Sequence, residues 1–439
     1  MLRMSLALSA IAVGVLAATP ACADDQSLRN ELAELRAQVG ALKAEVDQLR
    51  AAPASVASGA VTSGPGAPDA TRAPDVVAIA SASPVAAESA DATRFWGYGE
   101  LNYTRPTANA SAAQADLRRA VLGFSHAFDA DTHVYGELEW EHAVVSADDV
   151  GESEVEQLYV EHQLRPEVAV RAGLSLIPLG LLNEHHEPGN YYGVERNFVE
   201  TAIIPSTWRE GGISVLGTTE AGLSWNVGVT TGFDLSKWDA TSGDGRESPL
   251  GSIHQELQLA KAHDPSVYAA ANWQGIPGLT LGGGVFTGGV GQGQDFPARD
   301  ARLVLGEVHA RWQPGPFDVS ALYARGHISD TEALNLSLVG APTPVPESFW
   351  GGYVQGAWRV WQRGDSSLAP FVRVEAFNTA AAYAPMPPGL GVPTAPTERV
   401  WTVGMNYWLT PGVVFKLDYQ DFNVDASGNR FNLGVGYQF

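Results

Sequence analysis

Apolar and polar residues alternate along most of the chain from Thr93 onward. A period of two predicts β-strands with one apolar and one polar face. The apolar members of six such stretches are Val134, Leu138 and Trp140; Val168, Val170, Ala172, Leu174 and Leu176; Leu223, Trp225, Val227 and Val229; Phe317, Val319, Ala321 and Tyr323; Trp401, Val403, Met405, Tyr407 and Leu409; and Val413, Phe415, Leu417 and Tyr419. Stretches of about ten residues match the length of a tilted strand that spans a bilayer.

The connections between the predicted strands are short and long in strict alternation. The seven short turns lie at 129–132, 165–167, 217–222, 274–278, 313–317, 362–367 and 410–412. The eight long loops lie at 105–116, 143–153, 177–210, 231–265, 289–300, 328–347, 379–397 and 423–429, and the fourth is expected to hold 253–264 as a short helix. This count predicts an all-β fold, a 16-stranded antiparallel transmembrane β-barrel over residues 93–439.

The alternation continues to the last residue of the sequence. Phe431, Leu433, Val435, Tyr437 and Phe439 are separated by polar or small residues. Because a closed barrel has no free edge, we expect this strand to pair with the first strand, near 95–103. Tyr437 and Phe439 are then expected in the aromatic girdle at the periplasmic interface.

Three segments precede the predicted barrel. Residues 1–23 combine a basic residue, an apolar run and small residues before Asp24, which is typical of a secretory signal peptide. They include the only cysteine, Cys22, where lipid attachment is the alternative to cleavage. Residues 52–92, rich in Pro, Ala and Ser, cannot bury a core and are predicted to be a linker.

Residues 24–51 carry a heptad repeat. Its apolar positions are Leu28, Leu32, Leu35, Val39, Leu42, Val46 and Leu49. Glu31 and Glu45 fall at g positions, where they pair with Arg36 and Arg50 of a parallel neighbour. The repeat predicts a short α-helical coiled coil in the periplasm, holding together two or three copies of the chain; packing on its own domain is the alternative.

Composition narrows the function. The formal net charge of −22 argues against nucleic acid as a partner. Beyond the N-terminus the sequence has no run of 18 apolar residues, which argues against a helical membrane protein. GxSxG, HExxH, Walker and dinucleotide-binding patterns are missing from the sequence. We therefore expect no enzyme, no cofactor and no metal, and we interpret the histidine pair in "NEHHEP" (183–188) as polar loop residues rather than metal ligands.

Three stretches carry a resemblance to a known family. They are "FWGYGELNYT" at the start of the predicted barrel, "DLRRAVLGFSHAFD" in its second strand, and "RAGLSLIPLGLLNEHHEPGNYYGVERNF" from a strand into the third long loop. Together with the coiled coil they resemble the general outer-membrane porins, above all the phosphate-selective porin O and P family, over roughly 93–439. The resemblance implies a trimer in the outer membrane of a Gram-negative cell, surrounded by outer-membrane lipids, and passive diffusion of small hydrophilic solutes.

Strand parity selects the side chains that would line the pore. The predicted pore-lining residues are Arg119, Glu137, Glu139, Glu141, Glu161, Arg171, Glu307, His309, Arg311, Arg359, Arg373, Glu375, Lys416 and Asp418. The third long loop is expected to fold inward and to form the constriction with Glu184, His185, His186, Glu187, Glu195, Arg196 and Arg209. A barrel this wide leaves a water channel, so these side chains are expected to be solvated rather than paired.

The charges on this face leave the solute open. The family's phosphate selectivity rests on a ladder of Arg and Lys, and Arg119, Arg171, Arg311, Arg359, Arg373 and Lys416 could form a shortened one. The acidic residues on the same face equal or outnumber them, so an anion-selective pore, a pore for small organic or zwitterionic solutes, and a non-selective pore all remain. The alternative to a pore is a structural or adhesive barrel with an occluded lumen.

Overall fold

The computed structural model describes residues 92–146 and 149–439. The strands are β1 (Thr93–Pro106), β2 (Gln114–Ala127), β3 (Thr132–Glu141), β4 (Glu152–Arg165), β5 (Val168–Leu176), β6 (Arg209–Thr218), β7 (Leu223–Thr230), β8 (Ser266–Ile276), β9 (Leu279–Gly289), β10 (Arg302–Trp312), β11 (Phe317–Ile328), β12 (Ser348–Trp358), β13 (Trp361–Arg363), β14 (Ser366–Ala382), β15 (Glu398–Thr410), β16 (Val413–Phe422) and β17 (Arg430–Gln438). The signal peptide, the coiled coil and all but the last residue of the linker lie outside the described residues.

Each strand pairs antiparallel with its sequence neighbours, and β17 pairs with β1. Tyr437 lies opposite Gly99, and Phe439 exchanges two backbone hydrogen bonds with Gly97. Strands β12 and β13 both pair with β14 and are two parts of one barrel strand, so the 17 segments form a closed barrel of 16 strands. The strand count, the alternation of short and long connections and the pairing of the last strand with the first are confirmed.

Short helical turns occur only in the long loops of the described residues. They are the 3-10 turns Ala110–Ala112, Leu235–Lys237, Gly251–Ile253 and Ala426–Gly428, the π turn Val199–Ile203, and the α-helical turns Asp244–Glu247 and Glu332–Ser337. The described residues include no helix that is long and apolar enough to cross a membrane. The prediction of a helix over 253–264 is wrong beyond Ile253, because Glu256, Leu257 and Leu259 adopt left-handed backbone angles that interrupt a helix.

The outer face of the barrel is apolar, as the alternation predicts. Side chains of the predicted apolar faces, among them Leu138, Val227, Val319, Val403 and Leu417, are exposed. Their strand neighbours at the next position point inward. An exposed apolar band of this kind is what lipid covers around a membrane barrel.

One side of the barrel interior is a hydrophobic core. It joins the inward faces of β8–β12 to four long loops, L3 (177–208), L4 (231–265), L5 (290–301) and L6 (329–347). Its buried members include Phe286, Leu303, Leu305, Leu322 and Phe349 from the wall and Leu179, Val199, Ile203, Phe233, Leu235, Leu250, Ile253, Val290 and Val345 from the loops. The loops therefore fill this side of the lumen.

Candidate functional site

Loop L3 leaves the wall after β5 and returns to it at β6, and Asn183 ties its two ends together. The Asn183 amide donates to the carbonyl oxygens of Ile177 and Trp208, at 2.7 and 2.8 Å, and its oxygen accepts from the Trp208 backbone N–H at 2.7 Å. Since Asn183 is buried, these bonds replace the strand pairing that the wall loses here.

The body of L3 crosses the lumen and contacts inward-facing residues around the barrel. Tyr191 donates to Glu100 of β1 at 2.7 Å, and the Val194 N–H donates to Asp418 of β16 at 2.6 Å. The Phe198 N–H donates to Glu375 of β14 at 2.7 Å. Only a segment inside the barrel can reach β1, β14 and β16 at once, so L3 folds inward as predicted.

Glu200 fixes the shape of L3 from within. Its carboxylate accepts from the backbone N–H groups of Leu181 and Leu182, at 2.6 and 2.7 Å, and from Asn197 at 2.8 Å. The Tyr353 hydroxyl on β12 also donates to it, at 3.0 Å. A buried carboxylate whose hydrogen bonds are all satisfied makes a loop rigid. L3 is therefore a rigid partition across the lumen.

His186 anchors L3 to the wall at β1 and β4. Its Nε2 lies 2.8 Å from Glu156 of β4 and 2.7 Å from the Tyr98 hydroxyl, while Nδ1 lies 2.8 Å from the Asn183 carbonyl oxygen. Burial opposes the charge of this imidazole, but the carboxylate of Glu156 outweighs that effect and raises the pKa of His186 above its ordinary value. L3 is thus held on this side by a buried ion pair.

Between L3 and the wall of β1–β3 and β17 lies a cavity of about 360 Å³. Its lining is Glu100, Arg118, Arg119, Glu141, Tyr191, Glu195, Arg196, Phe198, Thr201, Ser206, Thr207 and Arg430. The wall residues come from the ends of strands that lead into the long loops, which is the extracellular end in such barrels. The cavity therefore lies in the outer half of the lumen, beside the inward-folded loop.

Many of the inward charges neutralise each other. Arg119 lies 2.9 Å from Glu100, 3.0 Å from Glu139 and 3.4 Å from Glu141. Elsewhere on the inner wall Arg171 pairs with Glu161 at 2.9 Å, Arg311 with Asp318 at 2.7 Å, Arg373 with Glu375 at 3.0 Å and His309 with Glu307 at 2.8 Å. The expectation of solvated rather than paired side chains is wrong for these residues, because L3 and the neighbouring side chains of the barrel exclude most water from them.

Three guanidinium groups at the cavity are different. Among the ion pairs of residues 92–146 and 149–439, none involves Arg118, Arg196 or Arg430. Arg196 donates to the hydroxyls of Ser206 and Thr207, and Arg430 donates to the Gln420 side-chain oxygen at 2.6 Å. The remaining carboxylate of the lining, Glu195, accepts from Asn102 at 3.2 Å. The lining as a whole carries four cations and three carboxylates, because Arg119 offsets only one of Glu100 and Glu141, so the cavity keeps a net charge of +1.

The predicted site residues separate into groups. Arg119, Glu141, Glu195 and Arg196 line the cavity. A second group is buried or half-buried around L3: Glu137, Glu139, His186, Glu187, Arg373, Glu375, Lys416 and Asp418. A third group lies nearer the short-turn ends of the strands: Glu161, Arg171, Glu307, His309, Arg311 and Arg359. Glu184 and His185 are on L3, with Glu184 4.0 Å from Arg171, and Arg209 pairs with Glu154 and Glu256.

Sequence parity missed Glu100, Arg118, Tyr191 and Arg430 at the cavity. Glu100 and Arg430 share a face with the inward residues Asn102 and Asn432, so the alternation alone contained the signal for them. The alternation contained no such signal for Arg118. The β1–β2 register shifts between Glu100 and Leu101, which makes Arg118 an extra residue in a β-bulge.

A second bulge has a similar effect on β4. The β3–β4 register shifts between Glu137 and Leu138, and Glu156 becomes the extra residue. Glu156 is fully buried and pairs with His186. A strict period of two cannot place either bulged residue, although both carry charges of the site.

The described residues include no group of three or more His, Cys, Asp or Glu side chains arranged to hold a metal ion. The histidines of "NEHHEP" do not converge, since His186 is committed to Glu156 and Tyr98. The site therefore consists of charged and hydroxyl side chains around a cavity of about 360 Å³, with Tyr191 and Phe198 of L3 among its lining.

A closed barrel of 16 strands, an apolar outer band and a third loop folded beside a charged cavity define the class of outer-membrane porins. The family model described as phosphate-selective porin O and P matches residues 92–433. The chain belongs to this family, as its resemblance predicted. It is an outer-membrane channel for solute diffusion, and its family and fold are those of a channel rather than an enzyme.

The chain is similar in sequence to one known protein and in fold to two solved structures. An uncharacterized protein of Aquifex aeolicus (strain VF5) is 27% identical over 352 residues, which cover 78% of this chain and 79% of that protein. The Salmonella typhi OmpF complex with daunomycin superposes with a TM-score of 0.56 at 14% identity, covering 80% of this chain and 98% of OmpF. An anion-selective porin from Comamonas acidovorans superposes with a TM-score of 0.50 at 11% identity, covering 80% of this chain and all (100%) of the porin. At these identities the structural likenesses concern the fold.

Proposed function

We propose that this porin lets small hydrophilic solutes diffuse passively through the side of the lumen next to β17 and β1–β3, and that it prefers anions. The observation that supports the preference is the set of unpaired guanidinium groups of Arg118, Arg196 and Arg430 at the cavity. In a narrow passage with low-dielectric walls, an excess of one sign of charge raises the local concentration of counter-ions. The net charge of the whole chain, −22, does not decide this, because charges outside the passage are screened within about 8–10 Å.

Organic anions fit the cavity as well as inorganic ones. Phe198 and Tyr191 line it together with the guanidinium groups. The carboxylate of an organic anion could therefore bind a guanidinium group while the carbon skeleton of the same anion contacts an aromatic ring. The paired state of Arg119, Arg171, Arg311 and Arg373 leaves few cations for a continuous phosphate ladder. We therefore favour general anion preference over strict phosphate specificity.

The working form in this proposal is a trimer in the outer membrane of a Gram-negative cell. The heptad repeat over residues 28–49 supports a parallel oligomer with its coiled coil in the periplasm, and the family resemblance implies three copies. The signal peptide over residues 1–23 supports export. An oligomer joined at both the coiled coil and the barrel gains stability from the raised effective concentration of each contact.

A barrel with an occluded lumen is the second candidate, and the hydrophobic core between L3–L6 and β8–β12 supports it. Conductance of the purified full-length protein in a planar bilayer separates the two. We expect steady open-channel current, together with current fluctuations when a small carboxylate such as acetate is added. Insertion of folded protein with no open-channel current would support the occluded barrel and overturn the porin proposal.

A further inference from the structure

Two consecutive tyrosines of L3 face opposite ends of the lumen. Tyr191 lines the cavity in the outer half. The ring of Tyr192 instead lies 5.6 Å from the ring of Phe371 and 5.8 Å from that of Trp408. Trp408 is at the end of β15, next to the short turn 410–412. Because short turns are the periplasmic connections of such barrels, Tyr192 faces the periplasmic half of the lumen.

The three rings form an aromatic cluster that is partly open. Phe371 of β14 is buried, whereas Tyr192 and Trp408 are half-buried. The Trp408 ring meets the Tyr192 ring edge-on, with 88° between their planes. Since all three side chains point inward, the uncovered parts of Tyr192 and Trp408 are open to the lumen. A further aromatic ring could pack on them in the stacked or edge-on arrangements that aromatic pairs prefer.

Arg359 lies beside this cluster, between β12 and β13, the two parts of one barrel strand. Ala357, the preceding inward residue of the strand, pairs with Phe371 on one side and with Asp318 of β11 on the other. Ala357 is buried, so parity turns Arg359 to the inner face as well. The Tyr192 hydroxyl donates to Asp318 at 3.4 Å. Arg359 is therefore next to the residues that hold Tyr192.

The charges at the cluster do not balance. Asp318 accepts two hydrogen bonds from Arg311, at 3.1 and 2.7 Å, so these two charges offset each other. In the part of the chain that the structure describes, Arg359 takes part in no ion pair. Burial and Asp318 raise the pKa of the Tyr192 hydroxyl above its ordinary value, and Arg311 and Arg359 act against that rise. Arg359 is thus an uncompensated cation within electrostatic reach of Tyr192.

We infer that Tyr192, Trp408 and Arg359 form a second solute subsite, on the periplasmic side of L3, that binds aromatic monocarboxylates. The carboxylate pairs with the guanidinium group of Arg359, and the solute ring packs on the open parts of Tyr192 and Trp408. Phe371 supports the Tyr192 ring from the wall. This inference rests on the open channel of the proposed function and adds a substrate class to it.

Both parts of such a solute contribute to binding. An ion pair that stays in contact with water gives little affinity by itself, so a small anion without a ring is held weakly. An aromatic ring adds a contact with oriented rings that an aliphatic ring of the same size does not reproduce. The subsite therefore predicts a definite order of binding: benzoate first, cyclohexanecarboxylate second and acetate last.

Block of single-channel current in a planar bilayer measures this binding on the full-length protein. Benzoate is compared with cyclohexanecarboxylate, which has similar size and the same charge but no aromatic ring, and with acetate. The test variants are Arg359→Gln and Trp408→Leu. The matched controls are Arg399→Gln and Trp401→Leu, whose side chains are exposed on the outward face of β15. Heat-induced change in gel mobility checks that every variant is folded.

We expect benzoate to block at a concentration about fivefold lower than cyclohexanecarboxylate does. Arg359→Gln and Trp408→Leu should each raise the half-blocking concentration of benzoate about fivefold, and the two controls should change it by less than about twofold. Trp408→Phe keeps a ring at this position and should retain most of the block. Because Arg359 has no ion pair to lose, Arg359→Gln tests the charge without removing a structural contact.

Equal block by benzoate and cyclohexanecarboxylate would overturn the inference, as would an unchanged benzoate block in both Arg359→Gln and Trp408→Leu. A block that responds to Arg430→Gln instead would mean that the anion binds in the cavity, which rejects the subsite and leaves the proposed function standing. The expected block in a channel whose reversal potential shows preference for potassium rejects the proposed anion preference alone. Folded protein without open-channel current rejects both proposals.

Discussion

The two sides of the barrel interior follow different rules. Toward the long-loop ends of β8–β12 the inward residues, such as Phe286, Leu305 and Phe349, are apolar and fully buried beneath the loops. On the side of β15–β17 and β1–β3 they are polar, such as Glu100, Arg119 and Asn432, and several border the cavity. Both sides have the same apolar outer face.

The difference shows what makes the inner wall of a membrane barrel polar. Inward side chains need polarity only where water or a solute reaches them; where a loop covers them, they form a core as in a soluble protein. On the covered side the long-loop ends of the strands are apolar on both faces, and L3 turns an apolar surface toward them and a charged surface toward the cavity. The lumen is thus divided into a structural half and a candidate permeation half.

The largest expected effect is on the covered side. Leu305→Asp would bury a carboxylate without a partner, at a cost of several kcal/mol, and should prevent normal assembly of the barrel. Leu305→Ala keeps the site apolar and should lower the free energy of unfolding by about 2–5 kcal/mol. Heat-induced change in gel mobility measures both. If Leu305→Asp assembled with unchanged heat resistance, water would reach this wall. The division of the lumen into a structural half and a permeation half would then be wrong.

On the polar side, Arg119→Gln should be almost as damaging. It removes the cation that lies near Glu100, Glu139 and Glu141, and losing one partner of a buried ion pair costs about 3–5 kcal/mol. Urea unfolding of the detergent-solubilised barrel measures the change. The control is Arg118→Gln at the neighbouring bulge, which has no carboxylate partner among the described residues and should change stability by less than about 1 kcal/mol. Equal losses for the two variants would contradict the distinction between paired and unpaired arginines.

The same distinction predicts a smaller, functional effect. Arg430→Gln should reduce anion preference, because it removes an unpaired cation of the cavity lining. Arg171→Gln, whose charge is offset by Glu161, should change the preference less. Reversal potentials at low salt measure both, and the difference should fade near 1 M salt, where the screening length falls to about 3 Å. A larger shift from Arg171→Gln would move the selective region toward the periplasmic end.

The smallest effect concerns pH and the anchoring of L3. The raised pKa of His186 means that its ion pair with Glu156 stabilises the protein fully at acidic pH, below the ordinary histidine pKa. This stabilisation is lost as pH rises through the raised value. The unfolding temperature should therefore fall from acidic to alkaline pH, and by less in His186→Gln. Tyr98, Glu187 and Arg196 also surround the imidazole, so the comparison with His186→Gln isolates its share.

The sequence predicted the barrel well because lipid imposes one rule on every outward position. The alternation ending in Tyr437 and Phe439, for instance, was enough to predict pairing of the last strand with the first. The interior obeys no single rule. Period-two parity could have identified Glu100 and Arg430, but bulges displaced Arg118 and Glu156, and nothing local to β9 or β10 revealed that Phe286 and Leu305 are covered by distant loops. Such positions depend on tertiary contacts.

The most direct test of the account is the reversal potential of the unmodified full-length channel in a gradient of potassium chloride at low ionic strength. With Arg118, Arg196 and Arg430 unpaired beside the passage, the account predicts a potential whose sign shows that chloride is more permeant than potassium. A potential of the opposite sign, showing preference for potassium, would contradict it.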